Sequence, residues 1–280
     1  MSKNIESRNA CSPAEVAGMN SSELRKNFLM EKVFEEDCVQ LTLTFYDRYI
    51  AGGIMPVNKV IELPNPDNLK AGYFLERREM GIINVGGKGK VEADGEIYEL
   101  DFKEALYIGK ETRKVVFTTN DTSKPAKFYI NSASAHHKYP TVKITKKEAE
   151  IVTLGSLENS NHRTLNKLLV ASVIETCQLQ MGMTELNTGS VWNTMPAHTH
   201  DRRMEVYFYF EVPQGQSVCH FMGQPQESRH IWMQNEQAAI SPPWSIHSGA
   251  GTSNYSFIWG MAGENLDYGD MDVCAINDLK

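Results

Sequence analysis

The chain has 280 residues, 41% of them apolar and 22% charged, and carries a formal net charge of −7, so it has room for one large domain or two of about 140 residues. The acidic balance leaves no broad basic surface to neutralise a phosphate backbone, which argues against nucleic acid as a partner. No apolar run approaches the roughly 20 residues of a membrane span, and the first twenty residues lack the apolar core of a secretory signal, so a cytoplasmic location without membrane contact is expected.

In chain order, the first forty residues read as a short helical lead-in. Asn20 or Ser21 caps a helix through Ser22 to Leu29, with Glu23 placed to complete a capping box. From Val39 the helical period gives way to short β-branched and aromatic runs: Val39–Phe45, Tyr73–Leu75, Gly81–Val85, Lys90–Glu92, Ile97–Leu100, Leu106–Ile108, Lys114–Thr118 and Lys127–Ile130. A polar, charged stretch, Thr145–Asn166, reads as a connection, with a short helical turn at 161–167. A second set of runs begins near Val173 and continues to Ala262. Many short strands at close spacing predict an all-β sandwich or barrel architecture, divided as 1–150 and 151–280.

The two halves also look like copies of one unit. Tyr73–Met80 aligns with His198–Glu205, and Arg77-Arg78 falls on Arg202-Arg203. A weaker match of Ala105–Ile108 to Ala239–Pro242 places Arg113 opposite His247. On that alignment the first copy has Tyr73, Leu75, Met80 and Arg113 where the second has His198, His200, Glu205 and His247.

Those four residues are the candidate divalent-metal ligands. Residues i and i+2 of a strand share a face, so His198 and His200 present two imidazoles side by side. Asp201-Arg202-Arg203 reads as a tight turn into a Tyr- and Phe-rich strand opened by Glu205, and His247 follows the Pro242-Pro243 turn. An H-x-H pair alone is common by chance. With a Glu five residues on and a distant His after a Pro-rich turn, it matches the two-part cupin motif. Three imidazoles and a carboxylate leave open positions on the cation, as catalytic sites do. Zn²⁺ suits this donor set best, while Mn²⁺, Fe²⁺, Co²⁺ and Ni²⁺ are compatible with it. The five cysteines are odd in number and unpaired in spacing, so thiolate ligation and a disulfide framework are not expected.

At His198-Thr199-His200-Asp201-Arg202-Arg203-Met204-Glu205-Val206-Tyr207-Phe208-Tyr209-Phe210 the chain resembles a specific family. Met222–Glu227, Asn235–Ala238, Ser245–Gly249 and Phe257–Met261 extend the likeness, as does Gly52–Val57 in the first half. The family is that of the 4-deoxy-L-threo-5-hexosulose-uronate ketol-isomerases of bacterial pectin and uronate breakdown. The resemblance implies two tandem cupin-like double-stranded β-helix barrels, a zinc ion on His198, His200, Glu205 and His247, and a homo-oligomer, often hexameric. It also implies a small-molecule uronate substrate, whose carbonyl moves one carbon along to give 3-deoxy-D-glycero-2,5-hexodiulosonate.

Such a reaction needs negative charge stabilised on two adjacent oxygens and a base to carry a proton between neighbouring carbons. Strand parity makes Glu175 and Glu185 candidates for the base, and Tyr207 shares a face with Glu205 as a hydrogen-bond donor. Arg163, Lys167 and Arg229 are candidates for the substrate carboxylate, which suits bidentate guanidinium pairing. An enediol route and a hydride shift both remain open. So do two other classes, an Fe²⁺-dependent cupin dioxygenase and a non-catalytic sugar-binding cupin.

Overall fold

The structure, a computed structural model, describes residues 2–264 and 268–280. The helix expected in the lead-in forms over Ser21–Phe28, with Asn20 and Glu23 in a reciprocal capping box. A shorter one, Pro13–Ala17, precedes it behind the same device at Ser12 and Glu15. Everything else of consequence is strand, in two sets that repeat one pattern.

In the first set a seven-stranded sheet runs Ser2–Arg8, Cys38–Thr44, Ile50–Met55, Phe128–Ser134, Arg78–Asn84, Ala105–Ile108, Val142–Ile144. A four-stranded sheet, Ile61–Glu62, Val115–Thr119, Gly89–Ala93, Glu96–Leu100, packs on it. In the second set the large sheet runs Glu150–Leu154, Arg163–Leu169, Gln180–Leu186, Ser256–Gly263, Arg203–Phe210, Gln237–Ser241, Leu29–Met30. Its companion is Trp192–Asn193, Ser248–Gly251, Val218–Gln224, Glu227–Met233. The all-β expectation holds, and each barrel is a large and a small sheet closed around its own interior, antiparallel except where Ser2–Arg8 pairs parallel with Cys38–Thr44.

The ladders refine the internal alignment. Met80 pairs with Ile108 and Ser132, while Glu205 pairs with Ser241 and Met261. Ile108 therefore matches Ser241, one residue away from the sequence alignment, and Lys114 rather than Arg113 falls opposite His247. Tyr73–Leu75 forms turns, not a strand. The stretch read as a connection is instead a hairpin of Glu150–Leu154 and Arg163–Leu169. No helical turn forms at 161–167, because Arg163–Leu169 pairs on both sides, with Glu150–Leu154 and with Gln180–Leu186.

Two aliphatic and aromatic clusters make the core. One, with Val39, Ile54, Met80, Ile82, Val91 and Phe117, fills the first barrel. The other fills the second barrel and continues between the two large sheets, where Tyr129 stacks on Phe208 at 4.4 Å. Polar groups also cross this junction. The Glu79 carboxylate, fully buried, accepts from Tyr107 Oη at 2.7 Å and from the backbone N–H groups of Cys177, Gln178 and Leu179 at 2.7–2.8 Å. In the same sense, Asp47 Oδ2 accepts from Met204 N at 3.0 Å. The lead-in crosses over as well, since Leu29 and Met30 pair with Ala239 and Ala238 of the second barrel.

Candidate metal centre

Each of the four candidate ligands is positioned by a different local device. Arg203–Phe210 is a central strand, hydrogen-bonded on both sides, which fixes Glu205 in the barrel interior. Asp201 and Arg202 make the turn before it, so that His200 ends beside Glu205. His198 sits on a two-residue strand paired with Asp272–Val273, a segment that sequence reading did not anticipate. The turn closed by Ser245 N donating to Pro242 O delivers His247 at the start of Ser248–Gly251.

The four converge. One ligand atom from each of His198, His200, Glu205 and His247 lies within 4.8 Å of all the others, and the group is buried. His247 Nε2 is 2.9 Å from His198 Nε2 and 2.8 Å from Glu205 Oε2, and His200 Nε2 is 3.2 Å from the same oxygen. His200 Nδ1 lies 2.5 Å from the backbone carbonyl of Asp270. A carbonyl only accepts, so Nδ1 carries a proton and Nε2 is the ring nitrogen turned toward the carboxylate. Three imidazole nitrogens and a carboxylate oxygen converging at this range are a donor set that fits a divalent metal.

The electrostatics agree. Burial, then the neighbouring His247 and His200, pulls His198 down to about 2, so its imidazole is neutral. Burial alone would raise the Glu205 carboxyl, but His247 and His200 outweigh it and hold the group well below the usual carboxylate range. A neutral His198 imidazole and an ionised Glu205 carboxylate are the protonation states that metal binding requires of these two groups.

A cavity of about 260 Å³ opens beside the group, lined by His198, His200 and Glu205, with His247 behind them. Its polar lining includes Arg163, Thr184, Thr194 and Tyr207, and its walls include Phe257, Trp259, Met261 and Tyr268. The Tyr207 hydroxyl is 2.9 Å from Thr194 Oγ1, and its ring centroid lies 5.3 Å from that of His247. Burial, with Glu205 nearby, raises the Tyr207 phenol well above its ordinary value, so it stays protonated. Burial lowers the Arg163 guanidinium, whose Nη1 donates to Asn161 O at 2.8 Å.

Among the other sequence candidates, the structure brings Tyr207 and Arg163 to the cavity and places four elsewhere. Glu175 is exposed in the turns before the strand that starts at Gln180, so the parity argument does not reach it. Glu185 is on that strand, but Thr184 faces the cavity and Glu185 faces the first barrel. There it pairs with Lys103 Nζ at 2.6 Å and accepts from Asn166 Nδ2 at 3.0 Å. Lys167 is held by Glu150 at 2.6 Å and lies over the Tyr268 ring. Arg229 binds Glu227 and the carbonyl of Ala17, both at 2.6 Å, and so anchors the lead-in.

Sequence reading missed Phe257, Trp259 and Met261, although the same parity rule applies. Their strand pairs Met261 with Glu205 and Trp259 with Tyr207, so these side chains share the interior face. Nothing in the local pattern of Tyr268, Met271 or Val273 marks them as lining the site.

Comparison with known proteins places this geometry in context. Residues 28–276 match the KduI/IolB family. A Formosa agariphila protein named 4-deoxy-L-threo-5-hexosulose-uronate ketol-isomerase is 60% identical over 280 residues, covering 100% of both chains. Proteins of the same name from Bacteroides fragilis (57%, 100% of both chains) and Escherichia coli strain SMS-3-5 (53%, 99% of this chain and 100% of that one) are also similar. Among solved structures, an IolB-like protein from Salmonella typhimurium LT2 superposes with a TM-score of 0.73 at 17% identity, over 89% of this chain and 97% of that one. A Lactobacillus farciminis oxalate decarboxylase superposes with a TM-score of 0.54 at 9% identity, over 82% and 79% of the two chains. At these identities the solved structures speak for the fold alone.

Proposed function

The chain belongs to the KduI/IolB family, and from that premise we propose that it is an intramolecular oxidoreductase, the ketol-isomerase of 4-deoxy-L-threo-5-hexosulose uronate (5-dehydro-4-deoxy-D-glucuronate). The observation that carries the reading is the buried His198, His200, Glu205 and His247 group, three of whose members line a cavity that also holds Arg163. The aldehyde of an open-chain uronate, next to a hydroxyl-bearing carbon, becomes a ketone on that carbon, giving 3-deoxy-D-glycero-2,5-hexodiulosonate. One proton leaves the hydroxyl-bearing carbon and one arrives at the former aldehyde carbon, so no outside oxidant is needed.

His198, His200, Glu205 and His247 would hold one divalent cation per subunit. Zinc is our assignment, on a donor set that Mn²⁺, Fe²⁺, Co²⁺ and Ni²⁺ also satisfy. When bound, the cation supplies Lewis-acid polarisation of the carbonyl and the neighbouring hydroxyl. Arg163 receives the substrate carboxylate. Tyr207, kept neutral and oriented by Thr194, donates to a substrate oxygen at which charge develops. Phe257, Trp259 and Met261 keep water from the reacting carbons. Glu175 and Glu185 have no place in this scheme. We assign the proton between the two carbons to an enediol route, and reaction in deuterated water tests it: product without deuterium would rule that route out.

The same reading takes residues 1–150 as a barrel without ligands and 151–280 as the metal-binding barrel. It also takes the protein as a cytoplasmic homo-oligomer of pectin and uronate catabolism, with a hexamer as the assembly. Exposed apolar side chains such as Trp232 (51% exposed) and Leu157 (59% exposed) support an association surface. Light scattering of the purified protein tests the assembly. For the activity, the test is metal analysis beside an isomerase assay: His198→Ala should lose both metal and turnover while retaining its melting transition. An unmetallated preparation that turns over at full speed would overturn the proposal.

A further inference from the structure

The two barrels differ at one place outside the metal centre, and the difference has the form of a missing partner. In the second barrel the pair Arg202-Arg203 precedes the strand that carries Glu205. Arg202 is ion-paired with Glu264, and Arg203 Nη2 donates to the carbonyls of Tyr268 and Asp270, each at 3.1 Å. In the first barrel Arg77-Arg78 occupies the same two positions, and the backbone around it repeats. Ala135 N donates to Arg77 O at 2.8 Å, as Glu264 N donates to Arg202 O at 3.1 Å. Ala135 therefore stands where the second barrel has the glutamate that neutralises its arginine.

Where the second barrel has Glu264, the first has an open cavity of about 500 Å³. It is lined by Arg48, Arg77 and Arg78 beside the rings of Phe45 and Phe74, and no acidic side chain lines it. None of the three arginines forms an ion pair among the described residues. Arg77 Nη2 donates to Leu69 O and Lys70 O, and Arg78 donates to Ser132 and to Arg48 O, all neutral acceptors. Buried Arg78 lies in the field of the neighbouring Glu79 carboxylate, but the exposed guanidinium groups of Arg48 and Arg77 have no acidic partner on the cavity and, in a chain of net charge −7, concentrate positive potential there.

We propose that this cavity is a second binding site, for a small carboxylate-bearing molecule of the sugar-acid kind. Its carboxylate takes the position that Glu264 holds against Arg202, between Arg77 and Arg48, where planar guanidinium forks match a planar carboxylate better than a tetrahedral anion. The carbon skeleton lies against Phe45, half-exposed at the rim, and Phe74. The inference does not depend on the metal centre or its reaction.

The test is calorimetric titration of the intact protein with D-galacturonate and, separately, with inorganic phosphate. We expect galacturonate to give a saturable heat that His198→Ala retains and that the Arg48→Ala/Arg77→Gln double variant loses; both arginines are exposed, so the double variant should keep its melting temperature. Ala135→Glu, which restores the carboxylate found in the second barrel, should abolish the same heat with all three arginines in place. Galacturonate heat that survives in the double variant, or that vanishes in His198→Ala, would overturn the second site. Tighter binding of phosphate than of galacturonate would overturn the carboxylate assignment.

Discussion

The two barrels share one topology and differ in what they enclose. At matching positions of matching strands the first encloses Met80 and Ile82, and the second Glu205 and Tyr207. Both sets of side chains are buried, yet the first is aliphatic and the second is three imidazoles and a carboxylate beside a cavity. The difference teaches that the closed strand ladders carry the fold whatever the interior holds, because backbone hydrogen bonding is satisfied in either case. The second barrel supports its polar interior with outside help: the Asp270 carbonyl fixes the His200 tautomer, and residues 272–273 close over His198.

The sharpest way to break the comparison is to exchange losses between barrels. Glu205→Ala should cost about 10³-fold or more in turnover by removing a metal ligand. Met80→Ala at the matching position should leave turnover near wild type while lowering stability by about 2–5 kcal/mol through the cavity it creates. Steady-state kinetics and denaturant melts on the pair decide it, and comparable turnover losses in both would mean the barrels are not divided in this way. Next in size is the junction. Glu79→Ala leaves three backbone N–H groups of the second barrel buried without an acceptor and should destabilise by about 3–5 kcal/mol, with the metal content per folded protein unchanged.

A smaller effect probes how the second barrel supports its candidate metal ligands. Cys274 N donates to Ala197 O at 2.8 Å beside the His198 strand. Cys274→Pro removes that donor, and chelator competition should show metal affinity weakened by about 10- to 100-fold, whereas Cys274→Ala keeps the N–H and should change little. A separate test is a pH effect on the metal-free protein. Burial holds His220, hydrogen-bonded to Tyr209 at 2.8 Å, down at about 3. The unfolded chain takes up a proton at this residue near the ordinary imidazole value of about 6.5, and the folded barrel does not. Stability is therefore lost as pH falls from about 6.5 toward 3, and His220→Gln should make that acid limb shallower in melts across the range.

Much of this was legible in the amino-acid order, for identifiable reasons. His198 and Glu205 lie on strands, with His200 just past the end of the His198–Thr199 strand, and His247 follows a turn that its prolines announce. What was not legible depended on long-range register. Parity alone does not say which face of Gln180–Leu186 is inside, and Glu185 was assigned to the wrong one. The hairpin at 150–169 has too much surface polarity to read as strand, since Lys167 and Glu150 pair across it. The segment from Tyr268 to Val273 carries no local signal because its role comes only from where it docks.

The crossing of Leu29–Met30 into the far sheet has a consequence for how the chain comes into being. A nascent polypeptide emits this two-residue strand about two hundred residues before the partner it must join, Ala238–Ala239. The edge of Gln237–Ser241 thus receives its last neighbour from the oldest part of the molecule, and this late closure is a non-local contact of the kind that slows folding. A fragment starting after the lead-in would leave that edge bare and ready to pair with another chain. The second barrel is thus best produced with residues 29–30 attached, even when only its metal chemistry is wanted.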